Sequence, residues 1–208
     1  MTTLIDYNSS EYSILLNVFE NTKLDKWIAL SIESFIYEWK EEKYDNGNLK
    51  ERYLTRFGEK EGEYKMWFDN GQLLVHCYYK EGKIEGEYKR LYSNGQLQIH
   101  CYYKEGKLEG EYNRWRENGQ IEIHCHYKEG KREGKYKSWW KNGQLYNHCH
   151  IKEWKAEGEY KKWWENGQLW VHCYYKEGKE EGEYKKWYSD GQLWVRCFYN
   201  DGNILSRE

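Results

Sequence analysis

Cysteine occurs at Cys77, Cys101, Cys125, Cys149, Cys173 and Cys197, always 24 residues from the next. Two other motifs keep the same step. Glu61-Gly62-Glu63-Tyr64 returns at Glu85, Glu109, Glu157 and Glu181, with the variant Glu133-Gly134-Lys135-Tyr136 in the remaining slot. Asn70-Gly71-Gln72-Leu73 returns at Asn94, Asn118, Asn142, Asn166 and, as Asp-Gly-Gln-Leu, at Asp190. A strict period of this length specifies like supersecondary units, each burying a face against its neighbours. Six full units occupy 61–204, and Asn46-Gly47 and Gly58 place a degenerate unit in register over 37–60. Residues 205–208 are read as a tail.

Each unit reads as a hairpin. Tyr64–Asp69 and Leu73–Tyr79 are short aromatic and β-branched runs. The Asn-Gly between them predicts a two-residue turn with positive φ at both positions. Lys80 to Gly86 predicts a longer glycine connection to the next unit. The whole is then an all-β repeat: an elongated, single-sheet antiparallel meander of stacked hairpins. Some 12 to 14 strands at ~4.8 Å spacing would make a ribbon ~60 Å long, a one-dimensional solenoid. A two-residue turn pairs Phe68 with Leu73, Met66 with Val75 and Tyr64 with Cys77. One face then carries Tyr64, Phe68, Leu73, Val75, Cys77 and Tyr79. The other carries Lys65, Trp67, Leu74, His76 and Tyr78. A bulge at the turn would exchange these assignments on one strand.

Composition agrees with thin aromatic cover over many strands. Aromatic residues make up 19% of the chain and charged residues 33%, proline is absent, and mean hydropathy is -1.18. Disordered chains are poor in aromatics, so disorder is not expected. A net charge of -2 gives no drive toward nucleic acid. No run approaches the ~18 apolar residues of a membrane span. The N-terminal residues lack the basic and small-residue marks of a secretory signal. Residues 1–36 differ from the array. Tyr12, Leu15, Leu16 and Phe19, then Leu24, Trp27, Ile28, Ile32, Phe35 and Ile36, have mainly helical spacing. They predict a short, mostly helical cap over the first hairpin, although Ile28–Ile36 also partly alternates.

Gly86-Glu87-Tyr88, Asn94-Gly95-Gln96-Leu97 and Glu105-Gly106-Lys107-Leu108-Glu109-Gly110 resemble the 24-residue variant of the MORN repeat, strongly over 61–204 and weakly over 37–60. The resemblance implies an antiparallel β-ribbon used as a scaffold, in protein association or lipid contact. Free-standing arrays of this kind occur in bacterial proteins labelled antitoxins and in large DNA viruses, and this chain resembles the viral kind in style. Trp154 departs from the pattern, standing where other units have Gly82, Gly106, Gly130 and Gly178. Positive φ is costly for Trp, so that turn is expected to differ.

The cysteine row cannot form disulfides within the ribbon. Equivalent residues lie two strands apart, ~9.6 Å, whereas a bridge needs Cα atoms within ~7 Å. Buried thiols in a reducing cytoplasm are expected. His76, His100, His124, His148 and His172 form another row. His124, His126, His148 and His150 make two His-x-His pairs expected to lie side by side, the only candidate metal set, though without a carboxylate or thiolate to complete it. His126 and His150 also occupy slots held by Tyr78, Tyr102 and Tyr174, so surface packing accounts for them. Lysine and glutamate rows alternate, and no phosphate loop or nucleophile motif is present.

No enzyme activity and no cofactor are expected. The leading expectation is a scaffold that binds a protein through Trp67, Trp115, Trp139, Trp163 and Trp187 with Tyr78, Tyr102 and Tyr174. Peripheral phospholipid binding and antitoxin-like inhibition of a partner are the alternatives. An open sheet edge at Asn203–Leu205 permits homo-oligomers.

Overall fold

The computed structural model describes residues 36–208; the expected N-terminal cap lies outside them. Strands follow one another in chain order: β1 (Tyr37–Lys43), β2 (Leu49–Arg56), β3 (Glu59–Trp67), β4 (Leu73–Lys80), β5 (Lys83–Leu91), β6 (Leu97–Lys104), β7 (Lys107–Trp115) and β8 (Ile121–Lys128). The second half continues with β9 (Lys131–Trp139), β10 (Leu145–Lys152), β11 (Lys155–Trp163), β12 (Leu169–Lys176), β13 (Lys179–Glu180), β14 (Gly182–Trp187), β15 (Leu193–Asn200) and β16 (Asn203–Arg207). Each strand pairs antiparallel with the next in a single sheet, with β13 a short branch on β12. The sheet runs open from β1 to β16, so the molecule is a ribbon, and the solenoid description does not hold. β1 and β2 form a hairpin of the same build as the full units.

The two turns of each unit exchange the roles expected of them. At Asn70-Gly71 only the glycine has positive φ, at 83°. Gly71 N–H donates to the Phe68 carbonyl at 3.0 Å, and Phe68 N–H to the Gln72 carbonyl at 2.8 Å. This is a turn closed three residues on, followed by a left-handed glycine. Asn70 uses its side chain instead of its backbone: Oδ1 accepts from Gln72 N–H at 3.0 Å. The two-residue turn with both φ positive is Glu81-Gly82, at 49° and 72°, and it recurs through Glu177-Gly178 and Asp201-Gly202.

Glutamate tolerates that conformation because the strand that opens its unit holds it. Glu81 N–H donates to Glu61 Oε2 at 2.8 Å, and Gly82 N–H donates to the Lys60 carbonyl at 3.0 Å. The same carboxylate cap recurs from Glu85 to Glu105, Glu109 to Glu129, Glu133 to Glu153, Glu157 to Glu177 and Glu181 to Asp201. At Trp154 the turn keeps its shape, contrary to expectation. Trp154 takes φ 69°, the cap on Glu153 lengthens to 3.2 Å, and the bond from position 154 to the strand that opens its unit is missing among the described residues.

The three-residue turn also corrects the register. Met66 pairs with Val75 and Tyr64 with Cys77 as expected, but Leu73 pairs with Trp67, not Phe68. Leu74 is the extra residue of a bulge and packs on the core side with Met66 and Val75. Leu73 and Leu74 therefore exchange faces. The first strand of each unit carries a second bulge, where Gly62 has φ 73° and Leu54 jumps from Tyr64 to Glu61 in the pairing.

The core is one side chain thick. Cys77 is 1% exposed and lies between Tyr64 on β3 and Tyr88 on β5. This small–large alternation continues through Cys101, Tyr112, Cys125, Tyr136, Cys149, Tyr160, Cys173, Tyr184 and Cys197. A second tyrosine edges onto each of five rings. Tyr79 lies 5.5 Å from Tyr64 and Tyr103 5.7 Å from Tyr88, centroid to centroid. A thiol fits between two aromatic rings at neighbouring strand spacing, which explains the cysteine row as packing. All six thiols are free and buried. Burial pushes Cys77 up to about 11 and Cys101 up to about 12, so they are poor nucleophiles.

Candidate functional site

The face opposite the cysteines is ordered in three bands, each fixed by cross-strand pairing. Trp67 lies opposite Leu73, Lys65 opposite His76, and Glu63 opposite Tyr78. The band next to the three-residue turns holds Trp67, Trp115, Trp139, Trp163 and Trp187, with Leu91 in the second unit; these rings are half-buried. The outer band holds Tyr78, Tyr102 and Tyr174, each exposed by 41–43%. The expected contact residues thus share one face but form two separate rows, with four residues of strand (~13 Å) between them.

Between the rows runs an ionic lattice. Glu63 Oε1 receives Lys65 Nζ at 2.7 Å and His76 Nε2 at 2.9 Å. Glu87 repeats this with Lys89 and His100, and Glu159 with Lys161 and His172. Glu183 takes Lys185 and Arg196. In the third unit Asn113 replaces lysine, and His124 Nδ1 lies 2.8 Å from Asn113 Oδ1. Hydrogen bonds from Lys89 and Lys161 are the main cause holding Glu87 and Glu159 below the ordinary carboxylate range. The histidines in turn support the outer tyrosines, with His76 5.2 Å from Tyr78 and His100 5.3 Å from Tyr102.

The His-x-His pairs do not lie side by side. β9 runs between β8 and β10, and Lys137 stands directly opposite both His124 and His148. His124 and His126 meet edge to face at 5.4 Å. Among the described residues no three His, Cys, Asp or Glu side chains converge in a cation-binding arrangement.

A second aromatic array lies on the cysteine face, where the bulge turns the Leu74 slot. Trp140 packs on Tyr146 at 4.5 Å, Trp164 stacks on Trp170 at 4.5 Å, and Tyr188 stacks on Trp194 at 5.4 Å. Lys162 and Lys186 lie over these rings. The Phe68-slot side chains also lock units together. Tyr44 and Tyr92 hydroxyls donate to the Trp67 and Trp115 carbonyls, each at 2.9 Å. Arg116, Trp140 and Trp164 make the equivalent bond to Trp139, Trp163 and Trp187. The Trp-Trp doublets at 139–140 and 163–164 are the sequence trace of this arrangement: one ring on each face.

No curated protein matches the chain closely enough to be informative. A family model described as MORN repeat variant matches six consecutive segments, 60–81, 84–105, 108–129, 132–153, 156–177 and 180–201. Each runs from one two-residue turn to the next, so the matched unit is a hairpin with its inter-unit turn. MORN repeats generally serve interaction with proteins or membranes and are typically non-enzymatic. With more than half of its length matched in unbroken tandem, this chain belongs to the MORN repeat variant family.

Proposed function

We propose that the chain is a non-catalytic scaffold that binds a protein partner through the face opposite the cysteines. The observation carrying this reading is the outer row of exposed Tyr78, Tyr102 and Tyr174, each propped by a histidine that is itself held by a glutamate. Rings ordered before contact lose little freedom on binding, the property that makes tyrosine and tryptophan effective interface anchors. The Trp115, Trp139 and Trp163 row supplies a second line of contact.

Partner capture by the full chain tests this. Replacing Trp115, Trp139 and Trp163 by alanine together is expected to release the partner, as is replacing Tyr78, Tyr102 and Tyr174. Capture unchanged by both variants would remove this face from consideration. The membrane reading has less support, because Lys65, Lys89, Lys161 and Lys185 are each paired within the lattice. Flotation with anionic vesicles at low salt decides it.

A further inference from the structure

One cell of the ionic lattice is built differently from the rest. At the slot of Glu63, Glu87, Glu111, Glu159 and Glu183, the fourth full unit carries Lys135. At Glu63, Glu87 and Glu159 this glutamate neutralises the lysine two residues on and pairs with the histidine one strand over. Here Lys135 stands opposite His150, and Lys137 opposite His148. Across the other side of β10, Lys161 is also opposite His148. Neither Lys135 nor Lys137 forms an ion pair among the described residues. No hydrogen bond engages the ring nitrogens of His148 or His150 there either.

Lys135, His148 and His150 border a depression of about 350 Å³ whose lining is completed by Cys149, Glu157, Gly158 and Glu159. Both carboxylates in the lining are already engaged. Glu157 Oε2 accepts the Glu177 N–H at 2.8 Å, and Glu159 Oε1 takes Lys161 and His172. The cell therefore presents uncommitted cationic donors and lacks the acceptor that its counterparts contain.

We infer that this depression binds a carboxylate supplied by another polypeptide, an aspartate or glutamate side chain of an acidic segment. The neighbouring cells provide the template. At Glu63, Glu87 and Glu159 one carboxylate receives a lysine ammonium at 2.6–2.7 Å and an imidazole at 2.8–3.1 Å, on the same oxygen in the first and last and on the two oxygens of Glu87. The fourth unit carries the same lysine and histidine, Lys137 and His148, in the same backbone register, and His148 lines the depression. Lys135 adds a second ammonium, and charge-assisted bonds to a carboxylate are stronger than neutral ones. Burial is the main cause holding the His148 imidazole below its ordinary pKa, with Lys137 adding to it. A bound carboxylate opposes the lysines and raises it. The groups facing His148 are Lys135 and Lys137 on β9 and Glu157, Glu159 and Lys161 on β11. This inference deepens the scaffold reading by naming the chemistry of one partner group, and rests on it.

The test follows the ring signals of the seven histidines by carbon–proton NMR while acetyl-hexaglutamate amide is added to the full chain. The expected result is a saturable shift at His148 and His150 that weakens with salt, together with an upward move of the His148 titration midpoint. Lys135→Glu restores the lattice and is expected to weaken binding by at least about tenfold. Glu87→Lys is expected to create a second responding site at His100. No saturable shift, shifts that survive Lys135→Glu, or an equal response to inorganic phosphate overturns the assignment. Silent histidines together with lost partner capture in the tryptophan variant remove this site and leave the scaffold reading standing. A responding His148 with capture unaffected in both face variants removes the scaffold reading and keeps the site.

Discussion

Phe68→Tyr is expected to stabilise the ribbon by supplying one missing bond. At the equivalent slots Tyr44 and Tyr92 place their hydroxyls 2.9 Å from the carbonyl of the residue 23 positions on. Arg116, Trp140 and Trp164 span the same interval at 3.0, 2.9 and 3.1 Å. Phe68 is half-buried and has no donor, so the Leu91 carbonyl receives nothing from it. Adding the hydroxyl costs no new packing, because tyrosine already fits this slot on either side. A hydrogen bond of this kind contributes about 0.5–1.5 kcal/mol net. For a chain of this length that corresponds to a rise of roughly 2–4 °C in Tm per kcal/mol. Tyr92→Phe removes the matching bond to Trp115 and is expected to cost a similar amount. Thermal melts and urea titrations of both variants measure the pair, and amide exchange near Leu91 localises the effect. A neutral or destabilising Phe68→Tyr, with Tyr92→Phe also neutral, would refute the claim that these bonds couple adjacent units.

Four further outcomes are expected. Trp154→Gly relieves a left-handed non-glycine residue, worth ~1–2 kcal/mol; slower amide exchange at Lys155 and a raised Tm are expected, and Gly130→Trp should do the reverse. Cys125→Leu overfills the space between Tyr112 and Tyr136 and is expected to lower stability by ~1–3 kcal/mol, read by urea unfolding. With Cys101 pushed up to about 12, thiol reagents at neutral pH should label it no faster than the β6 amides exchange. Glu87 and Glu159 have folded pKa values below their unfolded ones, so their contribution is full above the unfolded value of ~4.3 and fades as pH falls through the lower folded values. Tm should therefore decline in that acidic window.

The period of 24 made the meander legible, because any unit that repeats without insertion must stack in register. The turn types were not legible from Asn-Gly alone. Asn70 spends its side chain on Gln72 N–H, which allows a longer turn, whereas Glu81 accepts positive φ because Glu61, twenty residues back, caps its amide. That pairing was visible only as a glutamate recurring beside each Gly-x-Tyr, and its partner could not be named before the strands were aligned. The bulge that recurs at the Leu74 slot of each unit moves Tyr146, Trp170 and Trp194 to the cysteine face. Lys135 was plain in the sequence as a variant. Its meaning came from the register, which shows whose carboxylate is missing.

Strands in this ribbon lie across its long axis, so the ladder hydrogen bonds point along it. Tension applied to the two ends therefore loads one strand pairing at a time instead of shearing many together. The chain should yield like a zip, at low force, releasing one unit per step. A 24-residue unit extends to about 80 Å of slack at ~3.4 Å per residue, so under a pulling force the array would lengthen in equal increments, one per unit.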